Sequence, residues 1–332
     1  MSTAAIVAAC GSRTGLLVPT EQDAGPADVS VPRDARADVG VDVVEEPDAP
    51  EEDALPPIDV VVPPGPNPCP DAGSTLVYVI TSDNVLLSFY PPTATFTTIG
   101  TIACPTSTGG DSPFSMAVDH TGIAYVAFAS GDVFRVSTAN AACVPTKRVP
   151  TAGPFVSQYG MGFAANVGAD GGLTNDGGDA GDNVETLYLA GNPGGLTGGN
   201  LPPVELGSMS TTTFTTTSIG IVTPSIFGSE LTGTGSGQLF GFYVTDSSGT
   251  AAAIGELDRT TGQLVAMNNL PGVNIAGGWA FAFWGGDFYT FTAPDTDTIV
   301  QRFRPSDGSV TMVTSLPHTV VGAGVSTCAP QQ

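Results

Sequence analysis

Apolar residues along most of this chain come in short runs broken by Gly, Asp, Asn and Ser, and helical periodicity is hard to find anywhere. The clearest unit is Phe114-Ser115-Met116-Ala117-Val118, a turn at Asp119-His120-Thr121-Gly122, then Ile123-Ala124-Tyr125-Val126-Ala127-Phe128. A second turn at Gly131-Asp132 leads into Val133-Phe134-Arg135-Val136, and a fourth, less regular strand is expected over 143–149. Short β-branched and aromatic runs bounded by turn residues predict antiparallel strands, where branched side chains fit a pleated surface. Weaker copies follow. One has strands at 159–166, 184–190 and 214–222, and the next at 226 onward, 238–244, 252–258 and 263–268. The last runs over 279–283, turns at Gly285-Gly286-Asp287, and continues through 288–292, 299–304 and 309–314.

These copies start near 113, 159, 224 and 277, at spacings of 46, 65 and 53 residues, the long one carrying an insertion. A period in the forties to fifties is that of β-propeller blades. The ends complete the count. Strands at 76–81, 85–90 and 95–102 lack a first strand, and the run at 320–327 is a first strand with nothing after it. Joined, they make a fifth blade and close the ring, which removes sheet edges that would otherwise pair with other chains. The expectation is an all-β fold: one propeller of about five four-stranded blades, with six as the nearest alternative. The segment 114–136 resembles one blade of the NHL and gluconolactonase type of propeller, where a small apolar strand ends in Asp before a Gly turn and a Tyr-Val strand. That resemblance implies that Asp119 is the turn aspartate whose side chain bonds nearby backbone amides.

The N-terminus changes the picture. Ile6-Val7-Ala8-Ala9-Cys10 resembles the end of a bacterial lipoprotein signal peptide, with Cys10 as the residue that would carry diacylglycerol. The basic n-region of a secretory signal is missing before Cys10, which a start codon farther upstream would explain. Gly11 rather than Asp after the cysteine implies sorting to the outer membrane or cell surface. From 20 to 73 the composition turns acidic and rich in Pro and Ala, with 13 acids between Glu21 and Asp59. Such a segment buries too little apolar surface to offset its ordering entropy, and its like charges repel. The expected organisation is therefore a signal segment at 1–10, a disordered linker at 11–73 and a propeller at 74–332.

Net charge is −23, and after the linker the only basic residues are Arg135, Lys147, Arg148, Arg259, Arg302 and Arg304. Without a basic footprint, nucleic-acid binding is excluded as an expectation, as is direct electrostatic adhesion to anionic lipid. Membrane contact is expected only through a lipid anchor. Apart from Cys10 the cysteines are Cys69, Cys104, Cys143 and Cys328, an even number that reads as two disulfides with three connectivities open. Ring closure favours Cys69–Cys328 as a clasp and Cys104–Cys143 as the second bond.

Chemistry is sparse. His120 and His318 are both expected in solvated loops, and no catalytic triad or zinc spacing can be assembled. Glycosidases and lactonases use converging carboxylates in a propeller funnel, for which Glu230, Asp246, Glu256 and Asp287 are the available acids of the later blades. No cofactor is expected, with calcium as the one candidate: the insertion at 168–183 offers the oxygen ligands Asp170, Asn175, Asp176, Asp179 and Asp182 on a Gly-rich backbone. Its composition equally suits a plain Asp/Gly loop. Trp279 and Trp284 read as inter-blade core, and the run from Thr211 to Thr217 as an exposed outer strand. The reading that follows is a monomeric, non-enzymatic, lipid-anchored envelope protein whose propeller binds a protein or polysaccharide of the envelope. A funnel hydrolase or metal-dependent lactonase is the enzymatic alternative, and a structural envelope protein without a discrete ligand is the third.

Overall fold

A computed structural model describes residues 55–60, 76–167, 184–192, 203–246, 251–275 and 277–332. In chain order its strands are β1 (Val77–Thr81), β2 (Val85–Tyr90) and β3 (Thr95–Thr101), then β4 (Pro113–Val118), β5 (Ile123–Phe128), β6 (Val133–Ser137) and β7 (Cys143–Pro145). There follow β8 (Gly160–Ala165), β9 (Glu185–Gly191), β10 (Glu205–Met209) and β11 (Thr216–Ile221), and then β12 (Phe227–Gly233), β13 (Leu239–Val244), β14 (Ala252–Leu257) and β15 (Leu264–Asn269). The last are β16 (Trp279–Trp284), β17 (Asp287–Thr292), β18 (Thr298–Arg304), β19 (Ser309–Leu316) and β20 (Val320–Val325). They form five four-stranded antiparallel sheets, and the first blade runs β20-β1-β2-β3. The chain is a five-bladed propeller, closed as the unpaired first and last strands required: Val77 pairs with Val325 and Val79 with Ala323.

The core is five apolar clusters, one at each blade interface. Phe240, Phe242 and Ile254 of blade 4 meet Phe281, Phe283, Phe288 and Phe303 of blade 5. Between blades 5 and 1, Phe89 packs edge-on against Phe291 and Tyr289, with ring centroids 5.7 and 5.8 Å apart. The blade 2–3 cluster sets Tyr125 against Phe163 at 5.3 Å. Large aromatics fill the widening space between blades, and each buries ~150–250 Å². Toward the axis the space vanishes. A Cβ on Gly160 of β8 would lie 2.0 Å from the Ser229 carbonyl oxygen of β12. One on Gly322 of β20 would lie 2.8 Å from the Met116 nitrogen of β4. Inner strands therefore touch backbone to backbone, and the glycines are there because nothing larger fits.

Three expectations need correction. The outer strand of blade 2 covers only Cys143–Pro145, since Thr146 turns its hydroxyl onto the Val133 carbonyl and leads the chain away. The Thr-rich run is half turn: Phe214 is buried at positive φ, its amide bonded to the Ser210 carbonyl, and β11 begins at Thr216. The acidic linker is not disordered to its end. Residues 55–60 lie against blade 4, where the Met267 amide donates to Pro56 (2.7 Å) and the Ile58 amide to Asn268 Oδ1 (2.8 Å). Gln238 Nε2 donates to the Asp59 carbonyl at 2.7 Å. Ile58 is only 5% exposed, in the blade 4–5 cluster, and Leu55 packs against the blade 3–4 cluster. Aliphatic side chains over two blade interfaces outweigh the segment's polar composition. The remainder of the linker lies outside the described residues.

Cys104 and Cys143 are joined by a disulfide with Cα atoms 5.3 Å apart, tying the loop after β3 to the outer strand of blade 2. Cys328 is also disulfide-bonded, and Cys69, its expected partner, lies outside the described residues.

The axial contacts give a direct expectation. Gly160→Ala should destabilise the protein by at least about 2 kcal/mol, because the clash is with backbone that cannot step aside. Gly109→Ala, with no atom within 4 Å of its Cβ, should stay within about 0.5 kcal/mol of wild type. Chemical denaturation of the two variants measures both.

Candidate functional site

The inner strands β4, β8, β12, β16 and β20 all run the same way, so the ring has two unlike faces. Where these strands begin lie the blade-to-blade loops; this is the entry face. Where they end lie the turns at 119–122, 234–238 and 285–286, the 166–184 connection and the C-terminal segment; this is the exit face. Between the faces runs the axis, where an enzymatic funnel would be found.

The axis is closed. Glu230 stands within β12, 4% exposed, and its Oε2 accepts the hydroxyl of fully buried Ser115 at 2.7 Å. Ser115 Oγ in turn accepts the Met161 amide at 3.0 Å. One chain of hydrogen bonds thus ties β12, β4 and β8 across the centre. Burial pushes the Glu230 carboxyl well above the ordinary carboxylate range, outweighing its bonds to Ser115 and Met161. It is sealed among packed strands.

The other candidate carboxylates do not join it. Asp246 follows β13 at the entry end, while Glu256 sits on the third strand of blade 4, held by Gln238 Nε2 at 3.2 Å. Asp287 opens β17 and bonds both Nε and Nη2 of Arg304 at 3.2 Å, with Arg302 Nε 3.7 Å away. Among the described residues no group of three His, Cys, Asp or Glu side chains could hold a metal. The calcium candidates Asp170, Asn175, Asp176, Asp179 and Asp182 lie outside the described residues, as does Cys10.

The exit face carries a cluster that sequence reasoning missed. Glu185, at the start of β9, accepts the His120 amide at 2.8 Å and His120 Nδ1 at 3.0 Å on one oxygen. Its other oxygen accepts Thr327 Oγ1 at 2.7 Å. Burial raises the Glu185 carboxyl and these bonds oppose the rise. His120 is therefore pinned, not a solvated loop residue, and the cluster joins blades 2 and 3 to the segment after β20. His318 is the more exposed of the two and pairs with Asp83 at 3.1 Å. Residues 326–332 then cover this face: the Gly285 amide donates to Pro330 at 2.7 Å, and a Cβ at Gly235 would meet the Thr327 carbonyl at 2.5 Å. A lone acid after the Asp/Gly insertion is a weak signal for such a role, and its partners are 65 and 142 residues away.

The entry face is open. Its loops 102–112, 146–159 and 270–278 are longer than the exit turns at 119–122, 234–238 and 285–286. Their acids are spent on the loops themselves: Asp132 accepts the Ser107 amide at 2.7 Å and Asp111 those of Ser112 and Ser130. On the exit side Asp119 does the same for its turn, accepting the amides of Thr121 and Ile123 at 2.9 Å. Arg148, 8% exposed, fastens the 146–159 loop by donating to the Phe155 and Phe214 carbonyls over the Tyr159 ring. Beside it Val149 stands 71% exposed. Farther round, Ala251, Ala252 and 269–274 line a groove of about 450 Å³. Trp279 and Trp284 are partly buried against the blade 4–5 and 5–1 clusters, as expected of inter-blade residues.

No protein-family model matches the chain, and no curated protein matches it. Among solved structures it is similar to a chain in the nidogen/laminin complex at 9% identity and TM-score 0.43, over 75% of this chain and 97% of that one. It is also similar to the Dos1 propeller (11%, TM-score 0.37, covering 75% of this chain and 57% of that one). TolB from Acinetobacter baumannii follows at 12% and TM-score 0.38, covering 74% and 54%. The chain thus spans little more than half the length of the latter two, and likenesses this distant say nothing of what it binds.

Glu230 sets a pH dependence. Below about pH 4.5 the folded and unfolded chains both hold its proton. As pH rises above that, only the unfolded chain ionises, so stability falls by about 1.4 kcal/mol per pH unit until the folded carboxyl titrates. Glu230→Gln keeps the shape and the acceptor for Ser115 without this loss. It should raise the denaturation midpoint at pH 7.5 and leave it unchanged at pH 4. Glu185 titrates in the same direction, so the wild-type slope should be reduced and not abolished.

Proposed function

We propose that this chain is a non-enzymatic, lipid-anchored protein of the cell envelope whose propeller binds a protein or glycan partner with its entry face. The observation that carries the binding reading is the closed axis. Glu230 is sealed by Ser115 and by backbone contacts, residues 326–332 cover the exit face, and the groove and the loops 102–112 and 146–159 lie at the entry side. A funnel hydrolase or lactonase needs substrate access along that axis and a second carboxylate, and among the described residues Glu230 has neither.

Support for the anchor is in the sequence: small residues before Cys10, then a long acidic segment before the first blade. An acylated cysteine buries its chain methylenes at ~0.8 kcal/mol each, and the acidic segment would hold the ring off an anionic surface. The likeness of 114–136 to NHL and gluconolactonase-type blades fits the architecture without supplying their chemistry. Calcium held by Asp170, Asn175, Asp176, Asp179 and Asp182 remains part of this proposal, as a support for the insertion between β8 and β9.

Two measurements test it. In the native host, Cys10→Ser should move the mature protein from the membrane to the soluble fraction; retention in the membrane overturns the anchor. Immobilised protein should bind a component of an envelope polysaccharide or protein panel, with and without calcium. Val149→Asp on the entry face should weaken that binding, and Thr93→Asp on the exit face should not. Equal loss from both, or hydrolysis of a panel member, would falsify the entry-face reading.

A further inference from the structure

The entry-face groove, formed by blade 4 and the loop that follows β15, has a chemistry that the neighbouring surface already explains. Its floor residues Ala252, Leu270 and Val273 belong to the apolar cluster that buries Ile58 and supports Val60. Its rim carries the exposed amides of Asn269 and Asn274, continuing the edge on which the Met267 amide holds Pro56 and Asn268 holds Ile58. Extended peptides are recognised by this pairing of main-chain hydrogen bonds with pockets for alternate side chains. Asparagine serves it well, since its amide offers both donors and an acceptor. Its described lining has no charged residue and no aromatic ring, which suits neither a charged ligand nor a sugar that stacks.

We propose that this groove takes an extended, aliphatic, proline-containing segment of a partner protein, in the way the adjacent surface takes Leu55-Pro56-Pro57-Ile58. The proposal rests on the binding reading above and names its site and ligand class. Residues 55–60 are the template: two prolines donate no backbone hydrogen bond, three bonds to the blade fix the path, and aliphatic side chains enter blade interfaces.

The probe is a fluorescent peptide copying residues 55–64, Leu-Pro-Pro-Ile-Asp-Val-Val-Val-Pro-Pro, titrated into the full chain with anisotropy as the readout. Ala251 is exposed on the groove wall, so Ala251→Arg fills the groove without entering the core, and Ala251→Ser is the control. Binding to wild type that falls at least tenfold in Ala251→Arg and persists in Ala251→Ser supports the proposal. Binding that appears only in Ile58→Ser and ignores Ala251→Arg places the peptide in the seat of residues 55–60 and overturns it. Binding seen only after Val61 and Val62 are both changed to serine assigns the groove to this chain's own segment. A concentration-dependent dimer abolished by Ala251→Arg assigns it to a second copy; both outcomes overturn the proposal, as does no binding at millimolar peptide. If the envelope panel still binds and responds to Val149→Asp while these tests fail, the groove is wrong and the binding reading stands.

Discussion

The structure depends on how closely five strands can approach a common axis. Five blades leave almost no radius at the centre, so the inner strands meet at backbone distance and their facing positions must be Gly or another small residue. Gly160 and Gly322 meet that limit, and Ser115 is the small polar residue that fits beside them. The same geometry opens outward, which is why the Phe and Tyr side chains gather between blades and why five separate clusters replace one central core. Interiors at close-packed density tolerate neither voids nor excess volume, so the small centre and the large periphery are one requirement.

A sealed centre also decides the fate of polar groups inside it. Glu230 is tolerable because it stays protonated and because Ser115 relays it to the Met161 amide. Burying a charge there without a partner would cost several kcal/mol. At the exit end Glu185 meets the same demand with His120 and Thr327, binding residues that are far apart in the chain. Carboxylates that look like candidate chemistry in a propeller are here the pins that hold blades together.

Much of this was legible in the sequence, and the parts that were not share a cause. Short apolar runs bounded by Gly, Asp, Asn or Ser turns marked nineteen of the strands because they report local geometry, and the unpaired ends forced ring closure. The missed strand, β10, reads Glu205-Leu206-Gly207-Ser208-Met209, whose glycine and polar residues weaken the alternation; the buried Phe155 ring beneath Gly207 supplies the reason. Residues 55–60 were read as linker because Leu, Pro and Ile at wide spacing have no local pattern, and only the blade interfaces give them a place. The roles of Glu185 and His120 are wholly non-local. Local patterns announce strands, whereas pins and straps exist only once the ring has formed.

The pairing of Val77 with Val325 carries a consequence for how this chain comes to be folded. The sheet of the first blade cannot be finished until β20, nineteen strands later, is available, although β1 to β3 are made first. Contacts of such sequence separation form slowly, because loop closure must precede their reward. During that interval β1 presents an unpaired edge and β4 lacks its inner neighbour, the kind of exposure that invites association with other chains. The ring is thus a kinetic gate: no blade is fully protected until the last one closes it.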